Sequence, residues 1–453
     1  MNSLNAFFDG AILPSINQVS VFLVAVWHAF IANGSFVLKS WIDALLDFAF
    51  YYPLFMAYLW MIGALIYYFH WEKNAAYDPE HLPELSDYPA VSIIVPCHNE
   101  GRDLHDTIEY LLLQKYPNFE IIAVNDGSTD NTLEILLTLA EQHKQVRVIN
   151  LELNQGKAIA MKTGALFSKN EYLVCIDGDA LLAPEATHWI MQHFLSGHRV
   201  AAVTGNPRIR TRSTLLGKIQ VGEFSAIIGL IKRAQRVYGR IFTVSGVVTG
   251  FRKSALHRVG YWSNDMVTDD IDISWKLQLD HWDIRFEPNA LCWILMPETL
   301  GGLWRQRLRW AQGGAEALIR YYKKLGLWKS RRMWGVYLEY LTSVFWSYTM
   351  MAVFILWSLD WFVELPEALV IPTLIPSWGG VLLGITCLVQ FAVSLIIDSR
   401  YEKNLGKTYY WMIWYPLVYW IINVLTAVFG LIKAILKKRN TRAVWVSPDR
   451  GIR

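Results

Sequence analysis

Cysteine is scarce in this chain. Its four residues, Cys97, Cys175, Cys292 and Cys387, are scattered with no metal-ligand spacing, which excludes a disulfide framework and a zinc site and fits packed, reduced thiols. An excess of one charge is also lacking: the net charge is +3, and no basic stripe interleaved with aromatic residues runs along the chain. Nucleic acid is therefore not an expected partner. Internal repeats and low-complexity tracts are missing as well. No basic segment precedes the first apolar stretch and no small-residue cleavage site follows it, so that stretch is not expected to be a signal peptide.

What the chain has is apolar surface, unevenly spread. Hydrophobic residues make up 53% and aromatic residues 14%, at the apolar edge for a soluble protein. A bilayer-spanning helix needs about 20 apolar residues. Phe48 to Phe69, Tyr340 to Leu359, Ala368 to Ile397 and Thr408 to Ile432 meet this, and Ser15 to Leu38 is a weaker fifth candidate interrupted by Asn17, Gln18, His28, Asn33 and Gly34. Most of the charge lies between them, giving an expected division into membrane segments at 1–71, a cytosolic block at 72–332 and further membrane segments with a basic tail at 333–453. The middle block is large enough for its own core. The bases after Ile432 favour the cytosol, and the purely acidic loop from Asp360 to Glu367 favours the outside. With Arg400, Lys403 and Lys407 returning inside, a third full crossing would strand the basic tail outside. The segment containing Pro416 is therefore expected not to cross simply.

Within the middle block, short β-rich runs alternate with amphipathic helical stretches, the pattern of an α/β domain with a largely parallel sheet. VSIIVPCHN at 91–99, FEIIAVND at 119–126, RVINL at 147–151 and EYLVCIDGD at 171–179 read as strands, and Asp103 to Tyr116 as a helix. Ligands of such sheets bind outside the carboxyl ends of the strands, which places Asn99, Asp126, Asp177 and Asp179 at one crevice. The alternation weakens after Arg208. A helix expected over Gly301 to Leu327 alternates basic and aromatic residues, which suits a membrane interface.

The pair in Asp177-Gly178-Asp179 follows a buried apolar run, where two acids are costly without a partner. A divalent cation such as Mg2+ or Mn2+ is the natural one, and it would neutralise a diphosphate leaving group; an ordinary strand-to-helix turn is the plainer alternative. Asp126 follows apolar and amide positions, where its carboxylate can accept a hydrogen bond from a base N–H. Lys157 stands at a helix start, unfavourable unless an anion is near, and a solvated lysine is the alternative. Asp269, Asp270 and Asp272 cluster at another helix start as caps or as a source of the base that inverting sugar transfer needs. Gln306, Arg309 and Trp310 share a helical face, where an indole can stack on a sugar and a guanidinium can hold phosphate, or where both simply anchor the interface.

Taken together in this order, Asp126, Asp177-Gly178-Asp179, Thr268-Asp269-Asp270 and Gln306-x-x-Arg309-Trp310 resemble the processive family-2 glycosyltransferases that make cellulose, chitin, hyaluronan and poly-N-acetylglucosamine. The runs NQGKAIA, YLVCIDGDALL, VTGNPRIRTRST, DIDISWKLQL, RLRWAQGGAE and WVSPDRGI look like the branch making poly-β-1,6-N-acetyl-D-glucosamine. The resemblance implies a GT-A-like α/β cytosolic domain flanked by transmembrane helices, in a multi-pass protein of the bacterial inner membrane. It implies that Asp126 contacts uracil, Lys157 and Asp177 the nucleotide, and Asp179 the metal. Asp270 is then the general base, and Gln306, Arg309 and Trp310 hold acceptor sugar and diphosphate. The family's usual middle acid is Glu, so Asp269 is a departure that leaves its own role open. UDP-N-acetylglucosamine as donor, a growing glycan, a small PgaD-like membrane subunit and activation by cyclic di-GMP are implied by the resemblance alone. Rival readings are a non-catalytic conduit, against which the clustered acids argue, a non-processive lipid-sugar transferase, and another β-glycan synthase.

Overall fold

A computed structural model of the chain describes residues 16–73, 78–371, 373 and 377–438. It opens with α1 (Ile16–Tyr67), which continues through a π-helical turn to Glu72. The weak first stretch and Phe48 to Phe69 thus form one helix of 52 residues rather than two spans, with Pro53 tolerated inside it.

The middle block carries β1 (Val91–Cys97), α2 (Leu104–Leu112), β2 (Phe119–Asp126), α3 (Thr132–Gln142), β3 (Val146–Leu151), α4 (Lys157–Phe167), β4 (Tyr172–Ile176), β5 (Leu181–Leu182) and α5 (Ala186–Leu195). Then come β6 (Val200–Ile209), α6 (Leu215–Phe224), a π-helical stretch, α7 (Ile231–Tyr238), β7 (Val248–Arg252), α8 (Lys253–Val259), α9 (Asp269–Leu279), β8 (Asp283–Ile294) and α10 (Leu300–Leu325). One sheet has the order β3-β2-β1-β4-β7-β6-β8-β5. Its first half is parallel, as the alternation predicts. The second half is mixed: β7 runs antiparallel to both β4 and β6, and β5 antiparallel to β8. The largely parallel sheet expected from sequence is corrected accordingly.

β1 is buried on both faces, as a central strand between helix layers must be. Its alternate side chains divide the core. Ile93 and Val95 join Ile121 and Ala123 against Leu104, Ile108 and Leu136, whereas Ile94 packs with Met161 of α4. Three parallel strands thereby present their carboxyl ends to one edge.

After the block follow α11 (Trp334–Leu359), α12 (Ser377–Asp398), a 3-10 helix over Leu405–Trp414 and α13 (Tyr415–Leu436). Among the described residues, four helical stretches are long and apolar enough to cross a membrane: Val37–Glu72, Trp328–Leu359, Gly379–Asp398 and Tyr419–Leu436. The apolar stretch Thr408 to Ile432 is divided, because the chain changes helix type just before Pro416, which occupies the first turn of α13. Proline is suited to that position and not to a helix interior. The Gly430 backbone approaches α10 so closely that a Cβ there would lie 2.8 Å from the Gln312 nitrogen. The basic tail beyond residue 438 lies outside the described residues.

Buried ion pairs fasten the membrane helices to the block. Arg233 of α7 grips Glu72 with Nε at 2.6 Å and Nη2 at 2.9 Å, and its Nη1 reaches Asp398 of α12 at 3.0 Å. Arg208 of β6 donates to the other Asp398 oxygen at 2.7 Å.

Candidate active site

The crevice forms at the carboxyl ends of β1, β2 and β4. At the end of β2, Asp126 is fully buried, and its two oxygens accept the backbone N–H groups of Gln155 (2.7 Å) and Gly156 (2.8 Å). Gly127 must turn with φ +59, because a Cβ would lie 2.4 Å from the Asn154 nitrogen. The visible work of Asp126 is to hold the 154–156 turn. His98, which the strand pattern did not single out, braces the same turn through the Asp126 carbonyl (2.8 Å) and the Asn154 amide (3.0 Å).

Lys157 begins α4, and the anion that its position demands is supplied by the chain. Its Nζ lies 2.5 Å from Asp177 Oδ1 and donates to the Gly246 carbonyl at 3.1 Å. Burial pulls this ammonium down, but Asp177, Asp269 and Asp270 outweigh it and hold it above the ordinary lysine value. Gly178 lets the turn sit tightly, since a Cβ would meet the Glu100 side chain at 3.0 Å and the Pro96 carbonyl at 3.2 Å. Asp179 lies on the Glu100 side: burial, with Glu100 and Asp179 adding to it, pushes the Cys97 thiol well up.

Among the described residues no group of three or more His, Cys, Asp or Glu side chains could hold a metal alone. Carboxylate oxygens without soft ligands nevertheless suit Mg2+ or Mn2+, ions that characteristically take few protein ligands and complete their shell with substrate phosphates. Asp177 itself is engaged by Lys157.

Asp269 and Asp270 open α9, where Asp270 Oδ1 accepts the Ile271 N–H at 2.9 Å. Asp270 faces the Gly246 backbone, where a Cβ would be 3.4 Å from its Oδ2. Burial and the neighbouring Asp269 raise its pKa to about 6, against the pull of Lys157 and Arg309. The structure thus brings Lys157, Asp177, Asp269, Asp270 and Arg309 into one electrostatic cluster. Asp272 is different. It is wholly buried and bound by Tyr321 Oη at 2.6 Å and Lys276 at 3.3 Å, so the third acid of the motif is a packing anchor and cannot reach a substrate.

Helix α10 supplies the remaining residues. Arg309 is exposed, whereas Gln306 and Trp310 are half-buried. Gln306 donates to Met296 Sδ at 3.6 Å, and its buried Oε1 finds no hydrogen-bond partner among the described residues. Trp310 packs near Phe224, and the Arg307 guanidinium lies 4.4 Å from its ring centre. Arg307 is fixed by Glu223 of α6 at 2.6 Å. Sequence spacing missed this pair because its members are 84 residues apart. Also missed is buried Lys232, which donates to Thr204 Oγ1 at 3.0 Å; that hydroxyl in turn accepts the Ser245 N–H at 2.8 Å, beside Gly246.

A mixed sheet with charged residues gathered at the carboxyl ends of its parallel strands is the arrangement of a GT-A glycosyltransferase. Comparison agrees. Residues 92–260 match the family model "Glycosyl transferase family 2". A poly-beta-1,6-N-acetyl-D-glucosamine synthase of Staphylococcus epidermidis is 40% identical over 410 residues, 89% of this chain and 98% of that protein. Its counterpart of the same name in Staphylococcus aureus is 38% identical over 407 residues, with the same two shares. Among solved structures, a mannosyltransferase from Pyrobaculum calidifontis in complex with GDP-Man and Mn2+ superposes with a TM-score of 0.55 at 17% identity, covering 89% of this chain and all of that one; this shows the fold. The chain belongs to glycosyltransferase family 2, in the group of the poly-β-1,6-N-acetyl-D-glucosamine synthases.

Proposed function

We propose that this membrane glycosyltransferase is a processive, inverting enzyme that polymerises N-acetylglucosamine from UDP-N-acetylglucosamine into poly-β-1,6-N-acetyl-D-glucosamine. It works from the cytosolic face of a bacterial inner membrane and passes the product outward. The observation that carries the reading is the meeting of the Lys157–Asp177 pair with Asp270 and Arg309 beneath α10, in a chain that matches 98% of the length of synthases so named.

In the proposed reaction the acceptor hydroxyl attacks the anomeric carbon from the side opposite UDP. Asp270 takes the hydroxyl proton as the new C–O bond forms, and the bond to the diphosphate oxygen breaks, leaving UDP. A carboxyl with a pKa of about 6 is ionised at neutral pH and more basic than an ordinary aspartate, as that role requires. Lys157 is placed to meet the diphosphate, and Asp126 serves the uracil site by holding the 154–156 turn beside it. The unpartnered Gln306 oxygen fits an acceptor hydroxyl, the braced Trp310 ring a sugar face, and Arg309 a phosphate. A divalent ion held by Asp179, Mg2+ or Mn2+, would supply charge neutralisation for the departing UDP; the Pyrobaculum relative in fold carries Mn2+.

A conduit without chemistry has no use for a raised carboxyl beside a lysine. The PgaD-like subunit and cyclic di-GMP belong to the same proposal. The exposed apolar side of α1, with Phe55, Ile62 and Phe69, gives lipid or a small membrane subunit a place to pack. The test is UDP release and polymer formation in purified membranes. Asp179→Asn is expected to abolish both and to remove metal-dependent UDP binding, and chelation should do the same to the wild type. Undiminished synthesis in excess chelator refutes the metal.

A further inference from the structure

The loop that delivers Asp270 is fastened from outside the nucleotide crevice. Glu316 of α10 accepts the Val267 N–H at 3.1 Å, and Gln312 donates to it at 2.9 Å. Lys437, just past α13, places Nζ 3.0 Å from each Glu316 oxygen and 2.5 Å from the Asp265 carbonyl. Arg320 pairs with the Asp265 carboxylate; burial would raise that acid, but the Arg320 hydrogen bond and charge, helped by Lys437, hold it below its ordinary value. One residue beyond Val267, Thr268 is pressed against the Gly313 backbone so closely that no Cβ fits between them.

Three side chains from α10 and the end of α13 therefore hold residues 265–267, and the catalytic acid follows three residues later. Glu316 is buried and Lys437 mostly so, with 18% side-chain exposure, which removes this cluster from the class of exposed pairs worth almost nothing. A cavity of about 510 Å³, lined by Asp265, Glu316, Arg320, Lys323 and Lys437 among others, opens beside it. On its other side the clamped loop is packed: Met266 is buried with Ile271, Trp275, Ala317 and Leu318.

We infer that Lys437 and Glu316 are positioning residues for the transfer reaction: by clamping the Asp265–Val267 backbone to α10 and α13 they fix where Asp270 stands relative to the acceptor hydroxyl. The inference rests on the assignment of Asp270 as base. A misplacement of about 1 Å costs up to roughly 100-fold in rate without touching the donor site.

The experiment uses the full chain in nanodiscs. Lys437→Met and Glu316→Gln are each expected to lower maximal turnover about 10- to 100-fold with UDP affinity near wild type, and Lys437→Met to lower thermal stability as well, because Glu316 stays buried with one partner fewer. Lys437→Arg should recover most of the loss, and the double variant should be no worse than the poorer single one, since both break one clamp. Turnover of Lys437→Met within about twofold of wild type overturns the inference, as does a parallel fall in turnover, UDP affinity and stability, which marks a merely structural tie. Asp270→Asn, measured alongside, separates the two claims. If it stays active the base assignment fails; if it is inactive while Lys437→Met is normal, only the clamp fails.

Discussion

Asp270 stands between opposing fields. Burial and Asp269 push its proton on, and Lys157 and Arg309 push it off. With Asp270 as the proposed base the ionised form is the working one, so UDP release should fall as the pH drops through about 6. Asp269→Asn removes a negative neighbour, makes ionisation easier and should move that acid limb to lower pH; a rate profile from about pH 5 to about pH 8 reads it. An unmoved limb would mean that Asp269 does not act on the base. Asp270→Asn should cut synthesis roughly 10²- to 10⁴-fold with UDP binding intact, whereas loss of a helix-start contact alone costs about 1 kcal/mol of stability. The acids and Lys157 were legible in the sequence because charged residues that end apolar runs are costly unless used. Glu316 and Lys437 were not, since they meet Val267 and Asp265 across 49 and 172 residues, and no local pattern marks a lysine that reaches so far.

Elements followed the same division. β1 to β4 could be read because each is an apolar run closed by a polar residue or turn, and their parallel order follows from the alternating helices. β6 to β8 were hidden, because which strands pair in a mixed half depends on long-range contacts rather than on period. Polar α7 gives no sequence hint of burial, yet Arg233 is only 1% exposed because Glu72 and Asp398 meet it inside. Arg233→Met leaves both carboxylates buried with one partner fewer, a loss expected to cost about 3–5 kcal/mol. Denaturation of the purified protein measures it, and unchanged stability would show that α1 and α12 are joined to the block by packing alone.

For the molecule as a whole, the two ends of α13 bear on the expected topology. Tyr415 at one end lies 3.4 Å from Glu223, and Lys437 at the other is tied to Glu316 and Asp265, so both ends touch the block that holds the crevice. The residue after it, Lys438, should then share the cytosolic side. All four native cysteines are buried, so an introduced thiol reports alone. Lys438→Cys is expected to react with an impermeant maleimide only in inverted vesicles, and Glu364→Cys, in the acidic loop, only from outside. Labelling of Lys438→Cys in intact spheroplasts would reverse this arrangement. The clamp at Lys437 also sets an order in time. A chain emerging from the ribosome folds its earlier parts first, so the whole middle block with its nucleotide crevice can fold while the tie from Lys437 to Asp265 has still to be synthesised. A nascent synthase could hold its donor before it could spend it at full rate, which would come only once the last helix had been delivered to the membrane.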